Sequence, residues 1–225
     1  MTLHVLDELE QGTEEWHDQR RGMVTASVVG QLLTATLKTA SNDTSRNLTA
    51  LLVAERITGY TEPTWVNDDM LRGQLDEPIA RDLYSKHYEP ATEVGFMVRD
   101  DWGFSIGYSP DGLVGDDGLI EVKSRRQKKQ LQTILADAVP AENMAQIQCG
   151  LLVSGREWCD YVSFSGGMPM WSKRVYPEPI WAEAIVTAVT AFEENAAEMV
   201  DAYFAVTRDL PATERRIDPS EIQVA

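Results

Sequence analysis

The order of apolar and polar positions along the chain predicts alternating helices and strands. Thr13, followed by two glutamates, is typical of a helix N-cap with acidic residues in the first turn. Gly59 is typical of a helix end, and Pro140 suits a first helical turn. Together these signals predict five helices, at residues 14–20, 25–33, 45–58, 141–153 and 179–206.

A sixth helix is predicted from Asp68 onward by its spacing of apolar residues. These recur every fourth position, at Leu71, Leu75, Ile79 and Leu83, and Tyr84 and Tyr88 extend the same face. This periodicity is typical of an amphipathic helix. Pro78 lies inside the pattern and predicts either a kink or a break in the helix.

Shorter apolar runs predict strands at residues 92–98, 104–108, 112–114, 119–123, 158–164 and 171–176. Residues 115–118 read Gly-Asp-Asp-Gly, a tight-turn sequence, so the segment around them is expected to form a β-hairpin. The order of elements indicates an α/β fold with a mixed central β-sheet flanked by helices. We expect one domain over residues 1–207, followed by a loose tail over 208–225.

The hairpin carries the candidate chemistry. Side chains alternate along a strand, so Glu121 and Lys123 are expected on one face, and the turn brings Asp111 back toward Glu121. Two carboxylates can share a hard cation such as Mg²⁺, while the lysine orients water or neutralises the transition state. The pattern indicates metal-assisted hydrolysis of a phosphodiester. A solvated, charged hairpin edge is the alternative that these residues alone leave open.

Composition narrows the class of protein. A chain of 225 residues is long enough for one sizeable core. No apolar run reaches the about 18 residues of a membrane span, and the N-terminus lacks the basic and apolar regions of a secretory signal. We therefore expect a soluble intracellular protein without a membrane partner. Cys149 and Cys159 have no His or Cys at ligand spacing, which favours buried free thiols over a disulfide or zinc site.

The net charge of −16 argues against non-specific coating of nucleic acid, which depends on Lys and Arg. The basic residues are clustered, however, which would allow local contact with nucleic acid. Five of the twenty lie within Lys123–Lys129, and Arg20 and Arg21 form a second basic point. A basic track on an acidic body suits local contact with DNA followed by release. For Lys128 and Lys129, a solvated helix start remains the alternative.

Four blocks of residues occur in an order that points to one family. They contain Trp16-His17, Arg20 and Thr25-Ala26-Ser27; Glu77 with Ala80-Arg81; Ser109-Pro110-Asp111-Gly112 with Glu121-Val122-Lys123; and Gln146 with Leu152-Val153-Ser154-Gly155. With these blocks the chain resembles the phage lambda exonuclease family, the YqaJ-type viral recombinases within the PD-(D/E)xK nucleases. The resemblance runs from about Glu10 to Phe164 and implies a restriction-endonuclease-like core.

The resemblance also implies a metal centre. Asp111, Glu121 and the carbonyl of Val122 would bind Mg²⁺, with Mn²⁺ able to substitute, and Lys123 would be the catalytic lysine. Asp101 matches an acidic residue of the family's active site, although Asp100 beside it competes for that assignment.

Two further catalytic positions follow from the same resemblance. Glu77 matches an additional active-site glutamate, and Gln146 matches a glutamine beside the metal centre. From the residues alone, Glu77 could simply start a helix before Pro78, and Gln146 could be one polar helical residue among several.

The resemblance further implies a pocket for a terminal 5′-phosphate. Arg20, Ser27 and Ser109 match the positions that grip the phosphate, and Trp16 is either a core residue or a base-stacking wedge. The family's second pocket arginine corresponds to Lys129, a poorer bidentate clamp, so Arg125 or Arg126 could serve instead. Asn143 stands where the lambda enzyme has an aromatic residue.

The function implied is a Mg²⁺-dependent exodeoxyribonuclease of a phage or prophage, acting in the cytoplasm of a bacterial host. It would digest one strand of linear duplex DNA from a 5′-phosphorylated end and leave a 3′ single strand for recombination. A homotrimer and a single-strand annealing protein as partner are also implied. Two alternatives remain: a structure-specific or restriction-like endonuclease on the same core, and an acidic DNA mimic that inhibits a host nuclease.

Overall fold

The computed structural model describes residues 2–63 and 66–215. The N-terminal half of the chain is mainly helical, and its helices are α1 (Glu14–Arg20), α2 (Ala26–Val29), a 3₁₀ turn (Gly30–Leu32), α3 (Asp43–Thr58) and α4 (Asp68–His87). Thr13 caps α1 by accepting a hydrogen bond from the Trp16 amide at 3.3 Å, and Gly59 ends α3 with φ of 61°. Both helix limits confirm the sequence prediction.

The strands divide between two mixed sheets. The first has the order β1 (Leu3–Leu6), β4 (Phe96–Arg99), β5 (Ile106–Tyr108) and β2 (Val24–Thr25). The second has the order β3 (Ala91–Thr92), β6 (Gly112–Val114), β7 (Gly118–Ser124), β8 (Trp158–Phe164) and β9 (Trp171–Val175). The α/β class with a mixed sheet is confirmed, and the short strands β1 and β2 were missed by the sequence prediction.

The remaining helices are α5 (Gln127–Ala136), α6 (Ala141–Ser154) and α7 (Pro179–Thr207). Helices α3, α6 and α7 build the larger core with β5, around Ile106, Ile147, Ile185 and Phe192. A smaller core on the other face of β7 joins it to α4 through Ala80, Tyr84, Ile120, Val122 and Val162. Strand β7, which carries the candidate chemistry, is therefore covered on both faces.

Helix α4 shows an error in the predicted helix face. Leu71, Leu75 and Ile79 of the predicted face are 51%, 62% and 55% exposed, and only Tyr84 of that face is fully buried, whereas Ala80 and Arg81 beside it are buried. The face of α4 that contacts β7 is the buried one, and it carries the small Ala80 and the site residue Arg81. The spacing of the leucines does not reveal this contact. The helix continues past Pro78, so of the two predicted alternatives, a kink or a break, the break does not occur.

The predicted C-terminal tail lies only partly within the described residues. Residues 208–215 have no helix or strand, and residues 216–225 lie outside the described part of the chain. The division into a domain over 1–207 and a loose tail over 208–225 stays a prediction. Among helices within residues 2–63 and 66–215, none is long and apolar enough to cross a membrane.

Candidate active site

The β6–β7 hairpin brings two carboxylates together as predicted. Gly112 pairs with Ile120, so Asp111, directly before β6, lies across from Glu121 on β7. The Asp111 Oδ2 atom accepts a hydrogen bond from the Val122 amide at 2.6 Å, and the Glu121 side chain is wholly buried. A main-chain donor therefore fixes one carboxylate and the strand fixes the other.

Lys123 completes this group, which we call the carboxylate hairpin (Asp111, Glu121 and Lys123). Its Nζ atom donates to the Glu121 Oε1 atom at 2.5 Å, and its side chain is 25% exposed. Burial acts to lower the pKa of Lys123, but the charges of Glu121 and Asp111 outweigh it and raise the pKa to about 12. The ammonium group thus stays protonated at neutral pH and lies against the Glu121 carboxylate.

Asp111 lies in an environment that disfavours its negative charge. Burial, followed by the charge of Glu121, raises the pKa of Asp111 well above its ordinary value. The hydroxyl of Tyr108 donates to the Glu121 Oε2 atom at 3.4 Å, and burial followed by the Glu121 charge also raises the pKa of Tyr108. Two carboxylates with little water around them repel each other, and a cation between them would relieve that repulsion.

The donor set of the carboxylate hairpin fits Mg²⁺. Within the described residues, no three His, Cys, Asp or Glu side chains come together as a metal site. Mg²⁺ does not need three, since it is usually held by one or two carboxylates together with waters and substrate phosphates. Asp111, Glu121 and the Val122 carbonyl offer oxygen donors of this kind.

Helix α4 adds Glu77 to the same site. Burial raises the pKa of Glu77, Arg81 opposes that effect, and the charge of Glu121 adds to it. Arg81 donates to Glu77 Oε1 at 3.3 Å, to Glu93 Oε2 at 3.0 Å and to the main-chain carbonyl of Asp111. Arg81 therefore ties α4 to the hairpin, a role that the sequence analysis missed although Ala80-Arg81 was among its motifs.

Gln146 and Asp101 differ in where the fold places them. Gln146 lies half-buried on α6. One turn later on the same helix, Gly150 packs so closely on the Tyr108 ring that an added Cβ would come within 2.6 Å of it. Asp101 follows β4 and contacts Arg99 at 3.4 Å and the Thr2 amide at 2.7 Å. It lies at the opposite end of the β4–β5 pair from Tyr108, so the fold does not bring Asp101 to the carboxylates.

Four predicted residues form a second group beside the hairpin, which we call the Arg20 group (Trp16, Arg20, Ser27 and Ser109). The Arg20 guanidinium lies 3.8 Å from the centre of the Trp16 ring and donates to Ser27 Oγ at 3.2 Å. The Trp16 Nε1 atom donates to Ser109 Oγ at 3.0 Å. Because Ser109 lies two residues before Asp111, the group adjoins the hairpin.

The Arg20 group is positively charged yet partly removed from water. Burial lowers the pKa of Arg20 to about 10, and the charge of Glu55 acts in the other direction. A guanidinium with this pKa remains charged at neutral pH. An anion entering the group would meet a partly desolvated planar donor with hydroxyl groups close by.

Arg125 and Lys129 are used in other contacts. Arg125 donates to the Tyr161 hydroxyl through Nε at 3.2 Å and Nη2 at 2.8 Å, and Nη2 also donates to Asn143 Oδ1. Lys129 pairs with Glu142 at 2.6 Å. Both residues link the segment after β7 to neighbouring elements, and none of these contacts brings them to the Arg20 group.

The chain is similar to known viral recombinases and exonucleases. The YqaJ-like viral recombinase domain matches residues 15–157. An alkaline exonuclease (LHK-Exo) from Laribacter hongkongensis is 32% identical, with a TM-score of 0.79 over 88% of this chain and 100% of that chain. Its complex with dAMP matches equally well, with the same 32% identity and TM-score of 0.79 over the same shares of both chains.

A more distant structure shares the fold. A phage related exonuclease from Haemophilus somnus 129PT is 13% identical, with a TM-score of 0.61 over 80% of this chain and 96% of that chain. Among curated proteins, none matches the sequence. Since the family's domain spans residues 15–157, more than half of the 225 residues, the chain belongs to the family of YqaJ-like viral recombinase domains.

Proposed function

We propose that this exodeoxyribonuclease degrades one strand of linear duplex DNA from a 5′-phosphorylated end, with Mg²⁺ in the carboxylate hairpin and Mn²⁺ able to replace it. One observation carries the proposal: Ser109 joins the positively charged Arg20 group to the carboxylates, two residues before Asp111. The exonuclease from Laribacter hongkongensis, which was crystallised with dAMP, supports a site that accepts a nucleotide.

The hairpin residues divide the chemistry among them. Asp111 and Glu121 would hold the cation, with the Val122 carbonyl beside them. Bound there, a divalent cation supplies Lewis-acid stabilisation of the negative charge that develops on phosphate. Lys123, held against Glu121, donates a hydrogen bond and a positive charge to the negative charge that develops on phosphate.

Glu77 and Gln146 act around the attacking water. The raised pKa of Glu77 brings it nearer to neutral pH, which suits a carboxylate that takes a proton from water. Arg81 holds Glu77 in place and keeps α4 against the hairpin. Gln146, on α6, would position the water or the phosphate through its amide.

The Arg20 group receives the 5′ end. Arg20 presents a planar fork that can hold a phosphate by two charge-assisted hydrogen bonds, and Ser27 and Ser109 add hydroxyl donors. A terminal phosphate carries more charge than an internal diester, so the group favours phosphorylated ends. Each cut exposes a new 5′-phosphate that the group can capture. The second basic residue of the pocket stays open between Lys129 and Arg125, because Arg126 is engaged with Asp69 on α4.

The product would be a 3′ single strand for phage-type recombination in a bacterial cytoplasm, passed to a single-strand annealing protein. We further propose a homotrimer in solution. Large apolar side chains near the end of α7, including Met199, Tyr203 and Phe204, are 40%, 44% and 57% exposed, which suits contact with another chain. Sedimentation at micromolar concentration tests this assembly, and a monomer with and without DNA would contradict it.

Linear and closed circular forms of one plasmid test the function. We expect Mg²⁺-dependent loss of the linear form, no cleavage of the covalently closed circle, and no activity in EDTA. Nicking or linearisation of the circle would instead support the endonuclease. Absence of hydrolysis with either metal, together with inhibition of another nuclease, would support the DNA mimic.

A further inference from the structure

An open cleft of about 430 Å³ lies beside the end of β7. Three arginines line it, Arg72 from α4 and Arg125 and Arg126 from the segment after β7, together with Asp76, Gln127, Ser165 and Gly166. We call this the arginine cleft. On a chain with a net charge of −16, three guanidinium groups around one opening form a local basic site.

Two of these arginines share one carboxylate. Asp69 Oδ1 accepts from Arg72 Nη1 at 2.7 Å and from Arg126 Nε at 2.9 Å. Arg72 Nε also donates to Ser124 Oγ at 2.9 Å, and Ser124 donates in turn to Asp76 Oδ2 at 2.6 Å. Since Ser124 directly follows Lys123, this network begins next to the carboxylate hairpin.

Stability alone does not explain this arrangement. Arg126 and Asp69 have side chains that are 69% and 55% exposed, and exposed ion pairs contribute little to folding. Within the described residues, Arg126 makes its contacts through Nε, which leaves its two terminal nitrogens available to a ligand. Planar guanidinium groups with remaining N–H donors suit phosphate oxygens.

We propose that Arg72 and Arg126 bind internal phosphates of the DNA substrate, separately from the terminal phosphate that the Arg20 group receives. The proposal rests on the proposed function, because it takes the DNA whose end enters that group as the ligand. Ser109 precedes Asp111 by two residues and Ser124 follows Lys123, so the end group and the cleft are attached to different strands of the same hairpin. A DNA strand held at the carboxylates can contact both.

Asp69 limits the affinity of the cleft. A phosphate that binds Arg72 or Arg126 must compete with a carboxylate already hydrogen-bonded to both. Weak internal contacts suit an enzyme that shifts its substrate after each cut. Removing the Asp69 charge therefore tightens DNA binding, whereas a purely structural role for Asp69 predicts no gain.

Binding of a 5′-phosphorylated fluorescent duplex, measured in EDTA over a series of salt concentrations, tests the cleft. For Arg72→Ala and Arg126→Ala, we expect the salt slope of log K to fall by about 1 each, and Kd to rise for all DNA sequences. For Asp69→Asn we expect a several-fold lower Kd. The preference for 5′-phosphate over 5′-hydroxyl ends should be unchanged in all three variants.

Helix α3 offers a matched control. Asp43 and Arg46 form an exposed pair with the same i,i+3 spacing as Asp69 and Arg72. Arg46→Ala and Asp43→Asn should leave Kd and salt slope as in the wild type. Equal behaviour of Arg72→Ala, Arg126→Ala and Arg46→Ala would overturn the proposal, and so would loss of the end preference in the cleft variants. Failure of the wild type to digest linear DNA would count against the proposed function alone.

Discussion

The carboxylate hairpin and the Arg20 group lie side by side but are built differently. In the hairpin, strand pairing and a main-chain amide fix Asp111 and Glu121, and burial raises the pKa of Asp111. In the Arg20 group, side chains from α1, α2 and the end of β5 hold one another through ring stacking and hydrogen bonds. The first part holds two carboxylates against one lysine, and the second offers positive charge to an anion.

This difference separates reaction from recognition. The hairpin gains most from a ligand that neutralises its carboxylates, which strand pairing and the Val122 amide hold close together. The Arg20 group gains most from an anion, and its exposed Ser27 lies within reach of a ligand. Variants of the hairpin should therefore change the rate of hydrolysis, and variants of the Arg20 group should change the choice of DNA end.

The largest expected effect is loss of turnover in Lys123→Ala and Glu121→Gln. Removing a charge contact made in the transition state typically lowers the rate by about 10²–10³-fold or more, and loss of a metal carboxylate should cost at least as much. Single-turnover digestion of linear duplex measures the change. Lys173→Ala, which removes an exposed lysine paired with Asp137, is the control. Turnover within about tenfold of wild type for either hairpin variant would contradict the assignment.

A smaller effect is expected for Arg20→Ala. Hydrogen bonds to charged groups contribute about 1.5–3 kcal/mol, so the advantage of 5′-phosphate over 5′-hydroxyl ends should fall by about tenfold or more. Arg20→Lys keeps the charge without the planar fork, so its preference for 5′-phosphate ends should lie between those of the wild type and Arg20→Ala. Rates on matched duplexes with either end measure the ratio. An unchanged ratio in Arg20→Ala would remove the Arg20 group from end recognition.

The smallest effect concerns the pH dependence of the stability of the carboxylate hairpin. Because the pKa of Asp111 is raised in the folded state, its contribution to stability is present at low pH and is lost as pH rises through that pKa. Metal-free Asp111→Asn should therefore melt above the wild type at pH near 8, by about 2–4 °C for each kcal/mol regained. The gain should shrink toward pH near 4, where the wild-type carboxyl is protonated.

Added Mg²⁺ completes that melting experiment. It should raise the melting temperature of the wild type and leave Asp111→Asn nearly unchanged, since the variant lacks a ligand. Asp116→Asn, in the exposed hairpin turn, should match the wild type throughout. A lower melting temperature of metal-free Asp111→Asn at every pH would show that the Asp111 charge stabilises the fold.

Local sequence predicted the hairpin well because its determinants are local. The Gly-Asp-Asp-Gly turn and strand alternation are enough to place Asp111 across from Glu121. The Arg20 group was predicted by resemblance, since its members come from distant segments such as Trp16 and Ser109, 93 residues apart.

Other features depend on packing that apolar spacing does not reveal. On α4 the buried face holds Ala80 and Arg81 because it meets the site, so the leucine pattern pointed to the wrong face. The resemblance placed Asp101 in the active site, but the β4–β5 register puts it at the opposite end of that pair from Tyr108. The carboxylate that Asp69 shares between two arginines reaches Arg126, 57 positions away in sequence, and leaves no local pattern.

Strand polarity is the most direct test of the central claim. A linear duplex carrying a 5′-phosphate on one strand only, with a different fluorophore on each 3′ end, would be digested by the wild-type protein in Mg²⁺. We expect the phosphorylated strand to shorten from its 5′ end while its 3′ label stays attached until late, and the other strand to remain full length. Early loss of the 3′ labels, or equal digestion of both strands, would contradict the proposed end recognition and its direction.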